Sequence, residues 1–146
     1  MSESTGRPLP LAGVRVIEFC QTIMGPSCGL VLADLGADLI KVEPAPNGDK
    51  TRKLSGFGAG FFAAFNRNKR GIAIDVKSDK GREVAQKLIE GADVVIENYA
   101  PGTMERLGIG YDEMSKCNPG LIFCSLKGFL SGPYENRLAL DEVVQF

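Results

Sequence analysis

No histidine occurs among the 146 residues. Ser-His and Cys-His catalysis, histidine-ligated metals and imidazole acid–base work are therefore closed to this chain. Its chemistry must fall to carboxylates, lysine, cysteine, tyrosine or the backbone. The four cysteines are Cys20, Cys28, Cys117 and Cys124. They form no C-x-x-C pair, which speaks against zinc and leaves no metal site in view. Cys20, Cys28 and Cys124 lie in apolar runs and read as buried core thiols rather than nucleophiles. Lysines and arginines number 17 against 18 acids, so net charge makes no case for nucleic acid. The charge is uneven, however. Between Asp49 and Arg70 stand Lys50, Arg52, Lys53, Arg67, Lys69 and Arg70 against one acid. That excess suits a small anionic ligand, and it equally describes a solvated loop.

Two familiar nucleotide loops fail on spacing. A dinucleotide fold needs G-x-G-x-x-G directly after its first strand, and the turn here is CQTIMGPSCG. Gly56-Phe-Gly58-Ala-Gly60 is glycine-rich but follows a loop. Glu43 stands where a ribose-binding acid would, without the glycines that would make it one. No G-x-x-x-x-G-K-[ST] loop exists.

The elements that must position these residues alternate along the chain. Short β-rich runs are expected at Val14–Phe19, Leu39–Glu43, Ile72–Val76, Val94–Glu97 and Leu121–Leu126. Between them lie helical stretches: one entered through Gly25-Pro26 and ended by Gly36, and one capped by Ser78 and ended by Gly91. Phe61–Asn66, Met104–Leu107 and Tyr111–Cys117 read as short helices, and Pro44 to Gly60 as loop. The later strands are apolar and β-branched, as strands buried on both faces should be. The pattern predicts an α/β fold with a doubly wound, mainly parallel sheet. Residues 1–10 form a polar tail without the features of a secretory signal. No apolar run reaches the roughly 18 residues of a membrane span. A cytoplasmic protein is expected, with no membrane partner. A last amphipathic helix opens near Ala139. Its apolar face, Leu140, Val143 and Val144, stops at Phe146 without a cap, which reads as a truncation or fragment.

Open parallel sheets bind ligands beyond the carboxyl ends of their strands. The residues to watch are therefore Cys20 to Gly25, Glu43 to Gly48, Lys77-Ser78, Asn98 to Gly102 and Lys127-Gly128.

An ordered set of strings carries more information than any one of them: GVRVIEF, MGP, LADLGADLIKVEPAPNGDKTR, FNRNKRGIAIDVKSDKGRE, ADVVIENYAPGTMERLGIGYDEM, NPGLIFCSLKGF and SGPYENRLALDEVVQ. From Leu11 onward the chain resembles the N-terminal region of the family III CoA-transferases, among them formyl-CoA transferase and carnitine CoA-transferase. The resemblance implies a Rossmann-like large domain, of which residues 11–146 would be the truncated CoA-binding part. It implies acyl-CoA and a carboxylic acid as substrates, no prosthetic group, and an interlocked homodimer at full length. An aspartate attacks the thioester to form a mixed anhydride. That aspartate is expected beyond this chain's end, so no catalytic residue is assigned within it. Asp141 matches instead an acid in a helix-opening motif, favoured there by the helix dipole.

Carried over position by position, the resemblance implies CoA contacts as follows. Ile23 and Met24 lie in the turn before Gly25-Pro26. Ile74, Asp75, Val76 and Lys77 match the end of strand three. Asn98, Tyr99 and Ala100 match the turn after strand four, near the pantetheine arm. Arg106 matches an arginine that meets the phosphates. The alternatives are simple: Asn98 bonding its own backbone, and Lys77 and Arg106 as solvated charge. Formyl-CoA transferase has glutamine at the position of Ile23 and arginine at that of Pro44, so its small-acid specificity does not transfer. Acyl-CoA racemases are the enzymatic alternative. They place a histidine where this chain has Leu140, which disfavours them. A non-catalytic CoA-binding fragment is the alternative from another class.

Overall fold

The computed structural model describes residues 7–137 and Ala139. The helix expected from Ala139, with Leu140, Asp141, Val143, Val144 and Phe146, lies outside the described residues, as does most of the polar tail.

Five parallel strands form one sheet in the order β3-β2-β1-β4-β5. They are β1 (Arg15–Phe19), β2 (Asp38–Pro44), β3 (Arg70–Ile74), β4 (Val94–Glu97) and β5 (Ile122–Ser125). The chain winds outward from β1 through β2 to β3, then returns to the other side of β1 for β4 and β5. This is the expected α/β architecture, with its switch of winding direction between β1 and β4. Helices α1 (Met24–Asp34), α2 (Phe61–Phe65), α3 (Asp79–Glu90), α4 (Thr103–Arg106) and α5 (Tyr111–Cys117) flank the sheet. Among the described residues no helix is long and apolar enough to cross a membrane.

The alternation of side chains along a strand divides the core in two. Ile17, Phe19, Val42 and Val95 pack with Ala85 and Ile89 of α3, Met104 and Met114 on one face. Val16, Cys20, Leu39 and Ile96 pack with Ala33 and Ala37 on the α1 face. Ser78 caps α3 as expected, its hydroxyl accepting the Gly81 amide at 3.1 Å. Gly36 follows α1 at φ +100°, a conformation glycine adopts without a Cβ clash.

Four expectations need correction. The third strand starts at Arg70, two residues before the expected Ile72, and ends at Ile74, so Asp75 to Lys77 form a turn. β3 and β5 are edge strands rather than strands buried on both faces, and Ile72 and Ile122 reach solvent. Local composition cannot distinguish edge from centre here, because β-branched residues satisfy both. The expected loop from Pro44 to Gly60 contains two 3-10 turns, Lys50–Lys53 and Gly56–Gly60. Of the cysteines expected in the core, Cys20 is buried, whereas Cys28 and Cys124 are half-buried.

Candidate functional site

A cavity of about 370 Å³ opens at the carboxyl ends of β2, β3 and β4. Its wall is mostly apolar: Val42, Pro44, Ile74, Val76, Ala100 and Leu107. Gln21, Glu43, Asp75, Lys77, Tyr99 and Thr103 add polar groups. The strand-end rule places a ligand crevice at this edge of an open parallel sheet.

Six residues expected from sequence share this cavity: Ile74, Asp75, Val76, Lys77, Tyr99 and Ala100. Each comes from a strand end or the turn after it. Lys77 is exposed at the rim. Asp75 shapes the turn rather than pointing freely outward: its carboxylate accepts the Lys77 amide at 3.1 Å and its carbonyl accepts the Ser78 hydroxyl at 2.8 Å. Tyr99 is half-buried, and burial pushes its phenol up to about 12, with the Gln21 side chain offsetting part of the rise. The phenol is thus a neutral donor near neutral pH.

The other four stand apart from the wall. Met24 is half exposed at the start of α1, next to Ile23. Arg106 is exposed one helical turn beyond the wall residue Thr103, whose hydroxyl accepts from the guanidinium at 2.8 Å. Asn98 neither lines the cavity nor bonds its own backbone. Its side chain accepts the Gln21 amide and donates to the Gln21 carbonyl, both at 2.8 Å. That pair ties the end of β4 to the end of β1 across the switch point.

Glu43 settles the question of a ribose-binding acid. Its carboxylate is bound in a fork by Arg52, at 2.7 and 2.8 Å, and also accepts the Asp49 amide. Burial would raise Glu43, but Arg52 and the Asp49 amide outweigh it and hold the carboxyl below its ordinary range. The carboxylate is committed to the protein.

The basic stretch, open from sequence between an anion site and a solvated loop, is mostly paired within the fold. Arg52 pairs with Glu43, Arg67 with Asp34, Lys69 with Glu18 and Arg70 with Asp38. Only Lys50 and Lys53 of the six meet no carboxylate among the described residues; the cations at and near the cavity are Lys77, on its rim, and Arg106, bonded to the wall residue Thr103.

Sequence reasoning missed a buried ionic node beneath the β1–α1 turn. Glu18 and Lys41 are register neighbours on β1 and β2, facing α1. Lys41 Nζ donates to Glu18 Oε1 at 3.0 Å and to the Cys20 carbonyl at 2.6 Å. It also lies 3.0 Å from Asp49 Oδ2, without the alignment of a hydrogen bond. Lys69 Nζ donates to Glu18 Oε2 at 2.7 Å, the Pro26 carbonyl at 2.8 Å and Asn66 Oδ1 at 3.1 Å. The signal was present: opposite charges stand inside the apolar runs VRVIEF and LIKVE. Cys20, packed beside the node, is held far above its ordinary range by burial and then by the Glu18 carboxylate. It is no thiolate nucleophile.

The sequence and the fold can be compared with known proteins. The profile of CoA-transferase family III matches residues 11–146. An acyl-CoA transferase of Fusarium pseudograminearum is 42% identical, aligning 91% of this chain with 32% of its own. A formyl-CoA:oxalate CoA-transferase of Afipia carboxidovorans is 42% identical over 92% of this chain and 33% of its own. A succinate–glutarate CoA-transferase of Agrobacterium fabrum is 38% identical over 99% and 39%. The crystal structure of a CaiB/BaiF family protein from Brucella suis superposes with a TM-score of 0.87 at 41% identity, covering 95% of this chain and 39% of that one. The chain spans about a third of the length of these curated relatives.

Proposed function

The chain belongs to the family III CoA-transferases, and from that premise we propose that the whole protein moves coenzyme A from an acyl-CoA thioester to a carboxylic acid. The observation that carries this reading is the cavity at the strand ends, with an apolar wall and the cations Lys77 and Arg106 beside it. An apolar cleft suits the pantetheine arm, and arginine and lysine suit phosphate oxygens. Ile74, Asp75, Val76, Lys77, Tyr99 and Ala100 would line the arm. Ile23 and Met24 would approach from the β1–α1 turn, Asn98 would hold that turn, and Arg106 would meet a phosphate. Residues 11–146 act in this reading as the CoA-binding part of a larger domain, in a cytoplasmic homodimer.

The proposed chemistry is carboxylate nucleophilic catalysis. A carboxylate oxygen of an aspartate attacks the thioester carbonyl, and the C–S bond breaks to release CoA thiolate and leave a mixed anhydride. The thiolate attacks the aspartyl carbonyl, expelling the donor acid and forming an aspartyl thioester. The acceptor carboxylate attacks that thioester, and the thiolate released attacks the acceptor acyl group, regenerating the aspartate. The nucleophile is assigned to polypeptide beyond Phe146, and Asp141, outside the described residues, is given no role.

Titration calorimetry with CoA, and exchange of labelled CoA between acyl-CoA and acid pairs by the whole protein, test the reading. Binding and exchange are expected; neither CoA binding nor exchange with any pair would overturn it. Arg106→Ala should weaken CoA by about tenfold, the scale of one charge-assisted hydrogen bond. A smaller loss for dephospho-CoA places the contact on the 3′-phosphate. Equal losses place it on the diphosphate, and no loss for either removes Arg106 from the site.

A further inference from the structure

The segment Cys20 to Pro26, which is the β1–α1 turn together with the first residues of α1, is held in a conformation its own sequence does not favour. Thr22 has φ +68°, in the left-handed region that a β-branched residue rarely occupies. Strain of this kind persists only where the surroundings over-determine the backbone. Three clamps do so here. Asn98 takes both backbone groups of Gln21 from β4. Lys41 takes the Cys20 carbonyl, at one end of the turn, and Lys69 takes the Pro26 carbonyl, at the other. The two lysines are locked to each other through the two oxygens of Glu18. Both ammonium groups and the carboxylate are almost wholly buried. Helix α1 approaches this node closely. A Cβ at Gly29 would collide with Glu18 Oε2, and one at Gly25 would collide with Cys20 and crowd Asn98. The turn delivers Gln21 to the cavity wall.

We infer that Lys41 and Lys69 are positioning residues for coenzyme A: bridged by Glu18, they hold the two ends of the strained turn so that Gln21, Ile23 and Met24 are set in place before the ligand arrives. The inference rests on the coenzyme A reading above. Neither lysine touches the cavity. Their effect on binding passes through the backbone carbonyls of Cys20 and Pro26, so an order already present in the turn need not be paid for on binding.

Lys69 is the better probe, because Lys41 serves Asp49 as well and its loss endangers folding. In the whole protein, Lys69→Met should speed amide exchange over residues 20–27 while the strands exchange as before. The KM for acyl-CoA should rise about tenfold with kcat and the acceptor KM within about twofold, since the turn contributes binding rather than chemistry. Lys69→Arg, which keeps a cationic donor, should recover part of both effects. Unchanged exchange in the turn with unchanged KM would overturn the inference. So would a general rise in exchange with all kinetic constants falling together, which marks a merely structural role. A wild-type protein that neither binds CoA nor turns over acyl-CoA would sink the cofactor reading instead, and exchange in residues 20–27 would still decide whether the lysines hold the turn.

Discussion

Lys41 lies on the interior strand β2 with Glu18 and Asp49 each 3.0 Å from its ammonium, and its removal leaves two buried carboxylates without that counter-charge. Breaking a buried pair from one side costs about 3–5 kcal/mol, a large part of the roughly 5–15 kcal/mol that holds a domain together. Lys41→Met should therefore lower the urea midpoint sharply; a loss below about 1 kcal/mol would show that water enters and solvates the node. Asp49 and Glu43 add a pH dependence. Burial would raise Asp49, but hydrogen bonds from Thr51 and the Lys41 charge outweigh it, so its carboxyl, like that of Glu43, is held below the ordinary range. The folded state then binds fewer protons than the unfolded state between the depressed values and the ordinary carboxylate values near about 4. Their stabilisation is complete above that upper limit and is lost as pH falls through the folded values. Thermal melts from neutral to acid should show that loss, and Asp49→Asn should show less of it. A mutant that loses stability on acidification as steeply as wild type would contradict the assignment. These partners also explain why the chain alone left the basic stretch open between an anion site and a solvated loop. Arg52, Arg67, Lys69 and Arg70 look unopposed along the chain, but Glu43, Asp34, Glu18 and Asp38 reach them only through the fold.

Among the elements, helices with marked ends were the most legible. Ser78 and Gly91 bracket α3 because a cap and a stop are local chemistry. Strand positions in the sheet were not legible, because the order β3-β2-β1-β4-β5 is a property of winding and not of any one run. The candidate site was half legible for a related reason. The strand-end rule covered Gln21, Glu43, Pro44, Lys77, Tyr99 and Ala100, and the family resemblance supplied Ile74, Asp75 and Val76, whereas Val42, Thr103 and Leu107 join the wall only once β2 and α4 are brought beside them. The turn between β3 and α3 offers a test in which two rules disagree on sign. Replacing a helical glycine with alanine ordinarily stabilises by about 0.5–1 kcal/mol. At Gly81, near the start of α3, a Cβ would collide with the Asp75 carbonyl. Gly81→Ala should destabilise instead and disturb the Asp75–Lys77 wall of the cavity, read as a lower melting temperature together with weaker CoA binding. A stabilised variant would mean that the backbone shifts there at little cost.

At the scale of the whole molecule, the described residues leave large apolar side chains in water. Phe57 is 94% exposed and Leu130 92%, and Ile122 on the edge strand β5 is 63% exposed. Phe57 stacks edge-on against Phe61, and Phe61 against Phe65, so the patch on the segment between β2 and β3 is continuous rather than a lone ring. Each such side chain gains roughly 1.5–3 kcal/mol when fully covered. Among the described residues β5 is also the edge of the sheet, and an edge strand favours association with another strand. The curated relatives are about three times as long as the matched segment, consistent with alignments that take up 32% and 33% of their chains. Residues 1–146 expressed alone should therefore self-associate, giving a weight-average mass in sedimentation that rises with concentration. Phe57→Ser and Ile122→Thr together should reduce that rise without shifting the far-ultraviolet spectrum, because neither side chain supports the core. A wild-type segment that sediments as a monomer across the concentration range would show that these surfaces are tolerated in water, and that the fold needs no covering from outside these 146 residues.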